Sequence, residues 1–95
     1  MTLDDPSPVG PVLVEGELAR AVIAAIHELN VGVRIHDRGA YLRVEVPRRC
    51  VVTRAAVERV LGHAFRLPAD LERIMPSFKG RFRVADDEAV WESHA

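Results

Sequence analysis

Apolar side chains recur along the chain with two different periods, which predict helices and strands. From residues 18–29, apolar residues fall at i, i+3, i+4, i+7, i+8 and i+11, and this spacing predicts an amphipathic helix. Asn30 and Gly32 follow it and are predicted to end it in the left-handed conformation. A second helix is predicted after Thr53, a favourable N-cap, and Gly62 is predicted to close it.

Strict alternation of apolar and polar residues predicts strands elsewhere. Residues 33–36 and 41–46 alternate on either side of the turn Asp37-Arg38-Gly39, so they form a predicted β-hairpin. Residues 9–14 are predicted as an edge strand, because proline is tolerated at sheet edges and Gly10-Pro11 interrupts the run. Residues 68–70 are predicted to form a single helical turn at most. Further strands are predicted at 50–52, through Ile74, at 81–84 and through Val90 and Trp91, with a turn at Asp86-Asp87.

The predicted elements run strand–helix–strand–strand and then repeat that order without repeating the sequence. This order predicts an α+β fold of two strand–helix–strand–strand units, with helices packed against antiparallel sheet. Residues 1–8 contain two prolines and two aspartates without an apolar period, so they are predicted to be a flexible N-terminal tail. Residues 9–95 are predicted to be a single domain.

Composition places the chain among ordinary globular domains, with 48% apolar and 28% charged residues. No apolar run approaches the roughly 20 residues of a membrane span, and the acidic N-terminus lacks the features of a signal peptide. Cys50 is the single cysteine, which excludes an intramolecular disulfide. These features predict a cytoplasmic protein.

Charge is segregated along the chain, although the net charge is only −1. Residues 31–83 hold twelve of the thirteen basic residues and five of the fourteen acidic ones, so the middle is basic and both ends are acidic. A GC-rich genome would account for the use of arginine in place of lysine, but it would not account for the segregation. The pattern indicates a polarised binding surface.

The candidate residues for catalysis do not form a recognisable set. His27, His36, His63 and His94 have no metal-ligand spacing with Cys50 or with one another. Cys50 opens an apolar strand, where a thiol is usually buried and inert. No glycine-rich phosphate-binding motif is present. The sequence therefore predicts a protein without catalytic activity of its own.

Three non-catalytic functions fit these observations to different degrees. Single-strand nucleic-acid binders need several exposed aromatics beside a basic groove, and this chain has few aromatics and two acidic ends. A small-ligand regulatory domain with a ferredoxin-like layout is compatible with two strand–helix units. A protein-binding module accounts better for the charge segregation, because complementary charges steer association.

Several segments together resemble a known family. These are VGPVL, AVIAAIHELN, DRGAYLRVEV, CVVTRAAVERVLGHAFRLP, IMPSFKGRF and ADDEAVW, in that order. From Val9 to Trp91 the chain resembles the effector (coupling) proteins of soluble diiron monooxygenases, and it is most similar to the toluene and alkene branch.

The resemblance implies a regulatory protein without prosthetic groups that has no activity alone. It implies docking on the α subunit of a hydroxylase that carries a non-haem diiron centre. Docking would tune O2 activation, coupling and regiospecificity. The resemblance also implies a monomer when free, with no nucleic-acid or membrane partner.

Carried over by motif, eight residues are predicted to contact the hydroxylase. They are Asn30, Arg38, Tyr41, Met75, Ser77, Phe78, Lys79 and Gly80. Pro76 and Gly80 are predicted to shape the segment between them into a protruding loop, which offers Phe78 as an anchor.

Four of these residues have a structural alternative. Asn30 would serve as a helix cap, and Arg38 as a solvated turn residue. Met75 would fill a gap in the core. Phe78 would pack inward, beside Ile74 and Phe82.

Overall fold

The computed structural model describes residues 7–94, which form three helices and two antiparallel sheets. The strands are β1 (Pro8–Val14), β2 (Arg34–Asp37), β3 (Tyr41–Pro47), β4 (Arg49–Thr53), β5 (Ser77–Lys79), β6 (Arg81–Val84) and β7 (Glu88–Glu92). The helices are α1 (Glu17–Leu29), α2 (Arg54–Leu61) and α3 (Ala69–Ile74). The predicted α+β class is confirmed, with helices packed against antiparallel sheets.

The first sheet has the strand order β2-β3-β1-β5, so the predicted edge position of β1 is wrong. β1 pairs with β3 on one side and with β5 on the other. Gly10 makes this packing possible, because a Cβ at this residue would lie 2.4 Å from the carbonyl oxygen of Val44. Its φ of 146° also disfavours other residues. Because β1 pairs on both sides, Pro11 lies inside the sheet and not at its edge.

The second sheet has the strand order β4-β7-β6, and the acidic turn predicted at Asp86-Asp87 joins β6 to β7. Its central strand is the most deeply buried, with Ala89, Val90 and Trp91 all enclosed. A ferredoxin-like layout would place the strands of both units in one sheet. The division into two sheets therefore removes the structural basis of that alternative.

The two longer helices form as their apolar stripes predict. α1 buries Ala21, Val22, Ala25 and Ile26 in one core, which also contains Leu13, Leu42, Val44 and Val46 of the first sheet. The Oγ1 of Thr53 accepts a hydrogen bond from the backbone N–H of Ala56 at 3.2 Å, which confirms the predicted N-cap of α2. Gly62 ends α2, as predicted, and it does so in the left-handed conformation.

The end of α1 differs from the prediction. Asn30 is extended, with φ −134° and ψ 158°, and is not left-handed. Gly32 takes the positive φ, at 78°. The side chain of Asn30 explains the difference, because its contacts with another element hold it in the extended conformation.

The segment before β5 is a helix, so the predicted strand through Ile74 is wrong. α3 is longer than the single turn predicted, because Leu71, Ile74 and Met75 recur at helical spacing and face the core. The carboxylate of Asp70 fixes the start of α3, since it accepts a hydrogen bond from the backbone N–H of Arg66 at 2.7 Å.

The predicted tail, residues 1–8, lies mostly outside the described residues, and β1 begins within it at Pro8. In the part of the chain that the structure describes, no helix combines the length and hydropathy that crossing a bilayer requires.

Candidate docking surface

The segment that carries Phe78 is an edge strand and not the predicted protruding loop. In β5, Ser77 lies opposite Val12, Phe78 opposite Pro11 and Lys79 opposite Gly10. Side chains alternate between the two faces of a strand. Ser77 and Lys79 therefore share one face of the sheet, and Phe78 lies on the other.

Phe78 stands at the margin between the core and solvent. Its side chain remains 45% exposed, and its ring centroid lies 5.3 Å from that of Phe82. Phe82 in turn stacks on the buried Trp91 at 5.2 Å. The three rings form a row that runs from the surface into the core, and such pairs stabilise beyond their buried area. Phe78 thus packs against Phe82 and still exposes apolar surface, and its predicted role as a docking anchor stays a prediction.

Gly80 connects β5 of the first sheet to β6 of the second. Its φ is 103°, and a Cβ would lie 2.7 Å from Cγ1 of Val9 and 2.8 Å from the carbonyl oxygen of Glu92. The two sheets approach each other here too closely for any side chain. Gly80 therefore has a structural role that is visible in the fold, and its predicted contact with a hydroxylase stays a prediction.

Met75 does not lie on the surface. It is buried at the end of α3, with 9% of its area exposed, and it belongs to the core cluster. Met75 therefore fills the core, as its structural alternative states, and its predicted contact with a hydroxylase stays a prediction.

Asn30 uses its amide group to join α1 to β4. Its Nδ2 donates to the carbonyl oxygens of Ile26 at 2.8 Å and of Val51 at 2.7 Å, and its Oδ1 accepts from the N–H of Val51 at 3.0 Å. The two bonds to Val51 reproduce those that a neighbouring strand would make. Asn30 therefore covers the open edge of β4 at this point, and its predicted docking role stays a prediction.

Arg38 and Tyr41 lie at the hairpin between β2 and β3. The Oδ1 of Asp37 accepts from the N–H of Gly39 at 2.8 Å, and this Asx turn presents Arg38 to solvent. Tyr41 is 47% exposed and lies opposite Val14, which is 41% exposed. Sequence reasoning did not select Val14, although its position in the alternation of β1 marks it as outward-facing.

The solvent-facing side of the first sheet brings several predicted residues together. This outer face consists of Arg34 and His36 of β2, Tyr41, Arg43 and Glu45 of β3, Gly10, Val12 and Val14 of β1, and Ser77 and Lys79 of β5. Because Gly10 has no side chain, a groove of about 180 Å³ runs between β3 and β5. Tyr41, Ser77 and Lys79 lie on the outer face, with Arg38 at its hairpin end. Asn30 and Met75 lie elsewhere.

The outer face includes His36 and Glu45, which contact each other at 3.0 Å. Within residues 7–94, no three His, Cys, Asp or Glu side chains are grouped so that they could hold a metal ion. Burial raises the pKa of the Cys50 thiol to about 12, so it stays protonated at neutral pH.

Comparison with known proteins identifies the fold and the family. A family model described as the MmoB/DmpM family matches residues 7–92. The chain belongs to the MmoB/DmpM family. It is 45% identical to the effector subunit of the alkene monooxygenase system of Xanthobacter autotrophicus (strain ATCC BAA-1158 / Py2) over 89 residues, which cover 92% of this chain and 87% of that relative.

Two solved structures share the fold of this MmoB/DmpM protein. Both are chains from phenol hydroxylase–regulatory protein complexes, with TM-scores of 0.78 and 0.75 and 21% identity in each case. They cover 90% of this chain, and the match spans 95% and 98% of their own lengths. The family predicted from the resemblance is confirmed.

Proposed function

We propose that this chain is the effector component of a multicomponent monooxygenase that oxidises hydrocarbons, and that it docks on the α subunit of the hydroxylase. The observation that carries the proposal is the 45% identity, over nearly the whole chain, to an alkene monooxygenase effector subunit. Docking tunes O2 activation, the coupling of electron consumption to product formation, and regiospecificity. The diiron centre that supplies the oxygen chemistry belongs to the hydroxylase.

The geometry supports a docking protein because exposed apolar side chains are held on rigid elements. Phe78 and Tyr41 are both about half exposed, and both lie on strands of the first sheet, Tyr41 on its outer face and Phe78 on the opposite face of the edge strand β5. An aromatic side chain held by a packed framework loses little conformational entropy on binding, which is typical of an anchor. The chain therefore presents a preformed surface to the hydroxylase.

The proposal includes a free state that is a cytoplasmic monomer without a prosthetic group. The hydroxylase is the expected partner, and nucleic acids and membranes are not. Size-exclusion chromatography with light scattering, together with metal analysis, tests the free state.

Site-specific photo-crosslinking tests the docking partner. With p-benzoylphenylalanine at position 78, irradiation of the complex should link the chain to the hydroxylase α subunit. The same photo-reactive group at Ala55, which is exposed on α2, serves as a control for random collision. Equal crosslinking from both positions, or linkage to another subunit, would contradict docking on the α subunit through β5.

A further inference from the structure

The basic residues differ in whether a carboxylate lies within ion-pair distance. Within residues 7–94, ion pairs join Arg20 to Glu15, Arg59 to Glu28, Arg66 and Arg73 to Asp70, and Arg49 and Arg83 to Glu92. Over the described range 7–94, no such partner is found for Arg34, Arg38, Arg43 or Lys79. Arg54 of α2 and Arg81 of β6 are likewise without an ion pair in that range.

Four of the unpaired cations belong to one surface. Arg34, Arg43 and Lys79 lie on the outer face, and Arg38 lies at its hairpin end. Neighbouring strands are about 4.8 Å apart, so the whole four-stranded face is about 15 Å wide. This width is comparable with twice the Debye length at physiological salt, which is about 8 Å. An approaching partner therefore experiences these charges as one field.

The carboxylate of Glu45 on this face and that of Asp37 at its hairpin end are already engaged. Nε2 of His36 lies 3.0 Å from Oε1 of Glu45. Glu45 belongs to β3, which lies between β2 and β1 in the sheet. The Oδ1 of Asp37 accepts a bond from the hairpin turn. Two carboxylates thus stand against four cations, and neither carboxylate is within ion-pair distance of an arginine or lysine in residues 7–94. The face is electropositive and, in the described part of the chain, none of its arginine or lysine cations has a carboxylate partner, whereas each of the six arginines named above has a carboxylate within 4.0 Å.

Apolar area lies between the cations. Val12 lies opposite Arg43 and beside Ser77, and Val14 lies opposite Tyr41. The groove over Gly10 separates Arg43 from Lys79. An apolar centre with cations around it is suited to a protein surface that carries carboxylates around apolar side chains.

We infer that the outer face, with Arg38 at its end, binds an acidic surface of the hydroxylase and that its unpaired cations steer the encounter. The inference rests on the proposed function and adds the face and the charge of the partner. A second copy seated on this face would set the same cations against one another, which disfavours self-association. Nucleic acid is disfavoured because Tyr41 is the single aromatic residue on the face, and sequence-independent strand binding uses several.

Stopped-flow association with the hydroxylase of the same monooxygenase system tests the inference. Arg43→Glu and Lys79→Glu should each slow association several-fold, and the double variant should slow it about 10- to 100-fold at low salt, the range of electrostatic steering. The double variant should also show a weaker dependence on ionic strength than the wild type. Arg54→Glu is the matched control, because it reverses an exposed, unpaired cation on α2 and should change the rate little. Denaturant midpoints verify that every variant is folded.

The outcomes separate the inference from the proposed function. If the wild type fails to bind the hydroxylase, both are overturned. If the wild type binds and Arg43→Glu behaves like Arg54→Glu, the inference is overturned and the proposed function stands. If the wild type binds fluorescent duplex DNA at about 150 mM salt and Arg43→Glu does not, the face belongs to a nucleic-acid partner and the inference is again overturned.

Discussion

Truncation of Phe78 should weaken both the fold and the complex, by amounts that its position determines. Replacing a fully buried phenylalanine with alanine costs about 3–5 kcal/mol of unfolding free energy. Phe78 keeps 45% of its area exposed and contacts the aromatic row through Phe82. We therefore expect Phe78→Ala to cost roughly half of that range, about 1.5–2.5 kcal/mol. If its exposed half anchors the hydroxylase, the affinity should fall by an additional 2 kcal/mol or more.

Two comparison variants make the measurement decisive. Leu42 is 7% exposed in the core, so Leu42→Ala should lower the unfolding free energy more than Phe78→Ala, within the range of about 2–5 kcal/mol. Leu42→Ala should leave the affinity of the folded protein nearly unchanged. Phe78→Leu keeps apolar area and should recover part of both losses. Urea denaturation gives the stabilities, and titration against the hydroxylase at a temperature where all variants are folded gives the affinities.

The anchor hypothesis predicts both the loss of unfolding free energy and the loss of affinity for the hydroxylase, and either measurement can contradict it. A Phe78→Ala protein that is destabilised as much as Leu42→Ala would show that Phe78 is a core residue. An affinity loss no larger than that of Leu42→Ala would show that its exposed half contacts nothing in the complex.

Three further predictions concern the fold. Asn30→Ala leaves both backbone groups of Val51 without a partner and should cost about 2–3 kcal/mol by urea denaturation, and Asn30→Asp should not restore the loss, because a carboxylate repels the carbonyl of Val51. The Cys50 thiol should resist a thiol reagent at pH 8 in the native protein and react on unfolding, and rapid native labelling would contradict its burial. The hydrogen bond from the Arg66 N–H, with the nearby guanidinium groups of Arg66 and Arg73, lowers the pKa of Asp70 in the folded state, so its stabilising contribution is present at neutral pH and is lost as the pH falls below about 4. Asp70→Asn should therefore flatten the acid side of the stability profile, and an unchanged profile would contradict the assignment.

The parts of the fold that depend on local pattern were predictable from the sequence. The apolar stripe of α1, the alternation of the β2–β3 hairpin and the cap at Thr53 each use residues close together in the chain. α3 was missed although Leu71, Ile74 and Met75 carried its helical spacing, because the prolines on both sides favoured a shorter element.

The remaining features depend on contacts between distant residues. β1 pairs with β5, more than sixty positions away, and this pairing places Pro11 inside the sheet. The amide of Asn30 reaches Val51, 21 positions along the chain. Sequence reasoning located the basic middle of the chain, but only the structure distinguishes the paired arginines from the unpaired cations of the outer face.

The most direct test of the effector role measures product formed per reducing equivalent by the complete monooxygenase system, with and without this chain. We expect the ratio to rise with added chain and to saturate at a fixed stoichiometry to the hydroxylase, while the chain alone gives no product. A ratio that is independent of the chain, or turnover by the chain without the hydroxylase, would contradict the effector role.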